Sequence, residues 1–340
     1  MATYNLDASD LITLLKSTVT DPTYNAVLSR LVLNGDIGTS TVGVDTELYS
    51  SGGTSLVPAG TILDLLTLPT STAVTGASFP APTVGASLPS TSFTLVSSGG
   101  LVIAAGDQAD NVTDISSGKV DTLIGGAGFE KLYSEVGNAS LVGGTGANTL
   151  VGGYGKDTLT AGTGNQRLVA GLGGSTLYGG SGTDTLVGAF GASIVAGSGP
   201  TRILSSNTPV TPTGLRGSET IVAGSGSDTI LANVSNFQLD VSLGSGTATF
   251  KNETGAASTV TGGTGTARLV IGTSSADTIN SGTGAMTIVS GQSSLSLVSN
   301  SSTAIGGSHT LTFNNGQVIQ VNDANSNIVI HFSGGGTTPT

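Results

Sequence analysis

GGTGANTLV, GGYGKDTLT, AGTGNQRLV, AGLGGSTLY and GGSGTDTLV follow one another without interruption over residues 143–187. Each nine opens on small residues, mostly glycine, and closes on a short run with leucine in eighth place. Fixed-period self-similarity of this kind takes precedence over local propensity when a fold is read from sequence. Carried back to residue 116, the frame adds SSGKVDTLI, GGAGFEKLY and SEVGNASLV, so the eighth place reads Leu123, Leu132, Leu141, Leu150, Leu159, Leu168, Leu177 and Leu186. After a one-residue slip the pattern resumes as AGSGPTRIL from 196 and breaks at a proline-containing insert, 205–214. It returns as AGSGSDTIL from 223, LGSGTATFK from 243, GGTGTARLV from 262, GTSSADTIN from 272, SGTGAMTIV from 281 and SGQSSLSLV from 290.

The pattern predicts an all-β fold, a parallel β-solenoid. The last residues of each nine form a short strand whose eighth position points inward, since side chains alternate across a strand. Two nines complete a turn, and each turn advances by the ~4.8 Å strand spacing, so leucine stacks on leucine in two facing parallel sheets. The glycines are expected to supply positive-φ corners. A thin core of this kind needs no large aromatics, which suits a 340-residue chain with 54 Gly, no Trp and 4% aromatic residues.

The pattern G-G-x-G-x-D-x-U-x, with U a large aliphatic residue, resembles the RTX repeats of type I-secreted bacterial proteins, which form a calcium-bound parallel β-roll. GGYGKDTLT (152–160) and GGSGTDTLV (179–187) match it closely, AGSGSDTIL (223–231) nearly and GTSSADTIN (272–280) loosely. The resemblance covers roughly 105–300. It implies calcium as cofactor, held by the sixth-place aspartate with corner carbonyls and the sixth-place aspartate two repeats further on. The candidate ligands are therefore Asp157, Asp184, Asp228 and Asp277.

The sixth places depart from that pattern. Sorted by side they run Asp121, Ala139, Asp157, Ser175 and Glu130, Asn148, Gln166, Asp184, so no two aspartates are same-side neighbours. Calcium takes 6–8 oxygen ligands and its affinity depends on how many are charged, so a site with one aspartate would be weak. The alternative is aspartate accepting hydrogen bonds from corner amides. Further along, the sixth places Ala267, Met286 and Leu295 are apolar and read as extra core.

Composition excludes several function classes. With no Cys there is no disulfide framework, thiol nucleophile or thiolate zinc site. With only His309 and His331, a histidine-dependent relay has few candidates. No phosphate-loop motif occurs, because Gly118-Lys119 precedes Val120 and Gly155-Lys156 precedes Asp157. Substrate-stacking aromatics are scarce, and the reading is of a protein that is not an enzyme.

Net charge is −11, but residues 1–114 carry ten acids against Lys16 and Arg30, a balance of −8, and the remainder is nearly neutral. An acidic chain without a Lys/Arg cluster is not expected to bind nucleic acid or an anionic membrane. No apolar run reaches the ~18–20 residues that span a bilayer, and MATYNLDASD lacks the features of a secretory leader.

Four regions are expected. Residues 1–35 form an N-terminal helical segment, with apolar helical spacing over 9–34; 36–104 form an irregular β/loop region rich in Ser, Thr, Gly and Pro, so that a small helical/β part precedes the solenoid; 105–305 form the solenoid; and 306–340 form a C-terminal β cap. Within the cap, Asn314-Asn315-Gly316 is predicted to turn a hairpin. SHTLTFNNGQVIQVNDANSNIVIHFSGGG resembles the C-terminal tail that type I exporters recognise. That resemblance implies the type I secretion machinery as a partner and an extracellular or cell-surface location without an N-terminal signal peptide.

The outward places of the strands, seventh and ninth, read Lys131/Tyr133, Thr149/Val151, Arg167/Val169 and Thr185/Val187 on one side. On the other they read Ser140/Val142, Thr158/Thr160 and Thr176/Tyr178. Flat β faces with little charge are self-association hazards unless covered. The function expected is therefore an extracellular bacterial structural protein that self-assembles into a fibre, surface layer or matrix. The alternatives are a monomeric calcium-binding adhesin module that folds on calcium, or an enzyme with its site in 36–100. No regular Thr-x-Thr rank forms on either face, which counts against ice binding.

Overall fold

The structure, a computed structural model, describes residues 2–6, 42–48, 63–67, 74–79, 84–85, 92–97, 102–104, 111–114, 120–206, 218–233, 238–253, 255–272, 276–293, 297–302, 307–325, 327–333 and 337–339. The chain divides into two compact units, Met1–Ser175 and Thr176–Thr340. The helices expected within 9–34, the insert around 207–217 and Leu295 lie outside the described residues. All regular structure among the described residues is β.

In the first unit, strands Asn111–Asp114, Lys131–Ser134, Thr149–Val151 and Arg167–Val169 pair in parallel as one ladder. Val102–Ala104, Asp121–Ile124, Ala139–Val142 and Thr158–Thr160 form a second. Leu132 pairs with Leu150 and Leu150 with Leu168; on the other ladder Leu123 pairs with Leu141 and Leu141 with Leu159. Consecutive nines thus alternate between sheets, as the sequence predicts. All six leucines are fully buried, and each contributes about 1.5–3 kcal/mol of apolar burial.

Strands Val74–Phe79 and Ser92–Ser97 extend the first ladder in parallel toward the N-terminus. A separate four-stranded sheet pairs Ala2–Leu6 antiparallel to Val42–Leu48, followed by Leu63–Thr67 and Val84–Gly85 in parallel.

The second unit repeats the arrangement with longer strands. One ladder runs through Asp184–Val187, Thr201–Ser206, Ser227–Asn233, Thr247–Asn252, Ala267–Ile271, Met286–Ser293 and Ile328–Ser333. The other runs through Thr176–Tyr178, Ser193–Val195, Ser218–Val222, Gln238–Ser242, Ala257–Thr261, Asp277–Asn280 and Val318–Asn322. Isoleucine, valine and Phe250 join leucine at the inward position. The predicted hairpin forms between Ser308–Phe313 and Val318–Asn322, with Gly316 at φ 83° in its turn.

The expected role of the glycines is corrected. Among the described residues the positive-φ glycines are Gly174, Gly191, Gly255 and Gly316, so most repeat corners do not use that conformation. What excludes a side chain there is stacking. A Cβ on Gly146 would overlap the carbonyl oxygen of Gly128, and one on Gly164 would overlap that of Gly146. Turns a strand spacing apart leave no room for an atom directed along the solenoid axis.

Candidate metal-binding corners

Every candidate aspartate enters its strand pointing inward and is buried. Asp157 accepts a hydrogen bond from the Ala139 N–H at Oδ1 (2.8 Å) and from the Gly153 N–H at Oδ2 (3.0 Å). Asp228 repeats the pattern, accepting from the Thr201 N–H (3.1 Å) and the Gly224 N–H (2.8 Å). Asp184 accepts from the Gly180 N–H at 2.7 Å. In these three, one oxygen holds the loop of the residue's own repeat, and in Asp157 and Asp228 the other reaches the preceding turn on the same side. Asp277 instead accepts from the Asn252 side-chain amide (2.9 Å) and the Ser258 hydroxyl.

The four are not brought together. Asp157 lies in the first unit, where Ala139 separates it from Asp121. In the second unit Thr201 separates Asp184 from Asp228, and Asp277 stands on the opposite ladder. Beyond Asp228 the same column continues as Ala248, Ala267, Met286 and Ile328. The polar position becomes hydrocarbon, as the apolar sixth places predict.

Burial and hydrogen bonding act in opposite senses on these carboxyls. Asp157 is raised above its ordinary value, with burial the largest cause. The amide bonds and the nearby Ser134 hydroxyl lower it, and the neighbouring Asp114 raises it further. Asp228 is raised for the same first reason, against the bonds from Gly224 and Thr201.

A second group of corners is closed by side-chain amides. The Gln166 Nε2 donates to the carbonyl oxygens of Gly144 (3.0 Å) and Gly146 (2.7 Å). Asn327 Nδ2 donates to Gly282 (2.8 Å) and Gly284 (2.7 Å). Asn148 spans its corner in both senses, accepting from the Glu130 N–H at 3.0 Å and donating to Gly126 at 3.4 Å. At Gln166 and Asn327 the NH₂ group sits where alternate glycine carbonyls of the preceding turn converge.

Glu219 is the least compensated group. It is 0% exposed, and neither carboxyl oxygen has a hydrogen-bond partner of normal geometry among the described residues. The Ser205 hydroxyl is the polar group beside it, and burial pushes the carboxyl up to about 8. Gly188 makes the space, because a Cβ there would overlap the carboxyl. The sequence reading missed this residue, since the proline-containing insert hides the frame. The signal was present in Ser218-Glu219-Thr220-Ile221-Val222, which has the shape of Asp-Thr-Leu-Val with glutamate in sixth place. Asn252 and Asn327 were missed because they lie outside the regular nines.

Among known families, the RTX calcium-binding nonapeptide repeat matches residues 133–165, 160–195 and 213–236. Over these residues the match and the paired parallel ladders both fit RTX-type β-roll repeats. Comparison with curated proteins and comparison with solved structures return no match.

Calcium is the ion this repeat family carries, and the corners differ in how well they suit it. A cation requires converging acceptors. The Gln166 and Asn327 corners present NH₂ donors to the very carbonyls an ion would use, so they do not fit. The Asp157 corner fits best, with its carboxylate beside the Ser134 hydroxyl and the buried Asp114. Among the described residues no group of three or more Asp, Glu or His is placed to hold an ion. Among the same residues, no helix is long and apolar enough to cross a membrane.

Proposed function

We propose that this is an extracellular bacterial structural protein, exported by a type I system, that self-associates through the flat faces of its solenoid into a fibre, surface layer or matrix. The observation that carries the reading is the composition of those faces. Along the second unit the outward positions of one ladder include Thr185, Val187, Leu204, Thr229, Leu231, Val270, Thr287 and Val289, all partly accessible and in register. Parallel strands with β-branched outward residues present a regular surface that a second sheet covers without rearrangement. The RTX repeat supports the secreted location and a structural or binding role rather than a catalytic one. Static light scattering and negative-stain microscopy at micromolar protein test it. Large regular particles are expected, and a monomer at every concentration would overturn the reading.

The Asp157 corner favours a second reading, a monomeric adhesin or binding module that folds on calcium. Its mark is a circular dichroism change from disordered to β on adding calcium. Equal β content in excess chelator would exclude it.

A further inference from the structure

The Lys and Arg residues on described strands are Lys131, Arg167, Arg202, Lys251 and Arg268, and all are exposed. Register gathers them on one ladder in each unit. In the first unit, Lys131 and Arg167 share a column, with Thr149 between them. In the second unit, Arg202 and Arg268 share a column, with Thr229 and Thr249 between them, and Lys251 stands in the adjacent outward column. No Asp or Glu occupies an outward position of these two ladders among the described residues. The opposite ladders carry no outward cation, and a single outward acid, Asp240, in the second unit.

In a chain of net charge −11, a face bearing only positive charge selects an anionic partner. The self-association proposed above gives these cations no counterpart, because Asp240 is the single outward acid on the described solenoid strands. Spacing decides which polyanion fits. Lys131 and Arg167 stand two strands apart, and so do Arg202 and Lys251, roughly 10 Å at standard strand spacing. Duplex DNA carries a charge about every 1.7 Å, so most of its phosphates would go unmet. A linear polysaccharide in which acidic and neutral sugars alternate presents one carboxylate per disaccharide, a separation of the same order as the cation spacing.

The surroundings of the cations suit such a chain. Thr149 and Thr229 place hydroxyls, which both donate and accept, in line with them. In the first unit Tyr133 lies in the next outward column, in register with Val151 and Val169. Tyr154, on the corner that follows Thr149–Val151, is 68% exposed. Tyrosine rings offer a flat apolar surface with a polar tip, against which a sugar ring packs.

We infer that the cation-bearing face of the solenoid binds a linear acidic polysaccharide. Lys and Arg meet its carboxylates, and Tyr133 and Tyr154 meet its apolar sugar faces. The charges are exposed, so binding weakens as salt rises. This ligand goes beyond the proposed function and does not depend on self-association.

The test uses the full chain and hyaluronan, whose acidic and neutral sugars alternate, in titration calorimetry at low and high salt. Neutral dextran, single-stranded DNA and phosphatidylserine vesicles are the comparison ligands. Wild type is expected to bind hyaluronan, more weakly at high salt, and to prefer it to all three. K131Q/R167Q and R202Q/K251Q should each weaken binding about threefold or more. Tyr154→Ala should weaken it at both salt concentrations, because its contribution is apolar. Adding S140K/T158K to K131Q/R167Q restores net charge on the opposite ladder and should not restore binding. Circular dichroism checks that each variant is folded.

No binding of hyaluronan by wild type overturns the inference, as do equal affinities of wild type and the two charge variants. Recovery in the S140K/T158K combination would assign binding to net charge and overturn it too. Tighter binding of DNA or vesicles would give the face to a different partner and likewise overturn it. Light scattering without polysaccharide reports self-assembly separately, so either reading can fail while the other stands.

Discussion

The side-chain amide of Gln166 donates to the Gly146 carbonyl oxygen at 2.7 Å, and its second hydrogen reaches the Gly144 carbonyl one corner residue away. A neutral side chain thereby binds two carbonyls that would otherwise need water or an ion. Asn327 repeats the arrangement at Gly282 and Gly284. At these corners a side-chain amide occupies the glycine carbonyls that a cation would need.

Gln166→Leu should therefore leave two carbonyls without their donor. The expected loss is about 1–3 kcal/mol for stranded buried polar groups, read from the denaturant midpoint. Gln166→Asp removes the donor and adds a negative acceptor, so it should be less stable than wild type in chelator and recover in calcium. Stability unaffected by calcium in that variant would show that the corner cannot be converted.

Asp157→Ala deletes the acceptor shared by the Ala139 and Gly153 amides. A loss of about 1–3 kcal/mol is expected, together with faster hydrogen exchange at those two amides. Faster exchange elsewhere in the unit with these two unaffected would contradict the assigned bonds.

Glu219 predicts a pH dependence with a definite sign. Its folded pKa of about 8 lies above its ordinary value of 4.5, so over that interval the folded state binds more protons than the unfolded state. Stability from this group is fully present below pH 4.5 and declines as pH rises toward 8. The total is on the order of a few kcal/mol. Glu219→Gln should remove this dependence, so wild type and variant diverge in denaturant midpoint between pH 5 and 9. Parallel pH profiles would place the carboxyl in contact with water.

Gly164→Ala inserts a methyl against the Gly146 carbonyl of the turn before it. Overpacking of this kind costs about 1–3 kcal/mol. Gly316→Ala meets open space but sits at φ 83°, so its cost of about 1–2 kcal/mol comes from backbone conformation alone. Comparing their thermal midpoints separates the two reasons a glycine is required.

Leu150→Ala opens a cavity between Leu132 and Leu168 in the stacked core. A loss of about 2–5 kcal/mol is expected by calorimetry. Thr149→Ala, on the outward side of the same strand, should change stability by no more than about 0.5 kcal/mol.

The parallel solenoid, its two ladders and its leucine core were legible because they depend on periods. A strand alternates its faces every residue, and a repeat of nine returns leucine to the inward side of alternate sheets, as at Leu141 and Leu159. The apolar end of the Asp184–Asp228 column at Ala267 and Met286, and the hairpin at Gly316, could be read in the same way. The sequence could also place Asp157 and Asp228 at strand entries, because their sixth-place position determines direction.

Interactions between turns were decided by the tertiary structure. At repeat corners such as Gly146 and Gly164 the need for glycine arises from a carbonyl in the preceding turn, not from the residue's own φ. The partners of Gln166 and Asn327 lie 20 residues or more back along the chain. Glu219 becomes a buried carboxyl only once Gly188 and Ser205 are folded against it. The opening nines determined which side chains point inward, since direction is a local property of the strand. Only the stacking of strands across the insert could gather Arg202, Lys251 and Arg268 on one wall, because which residues share a wall depends on register between turns.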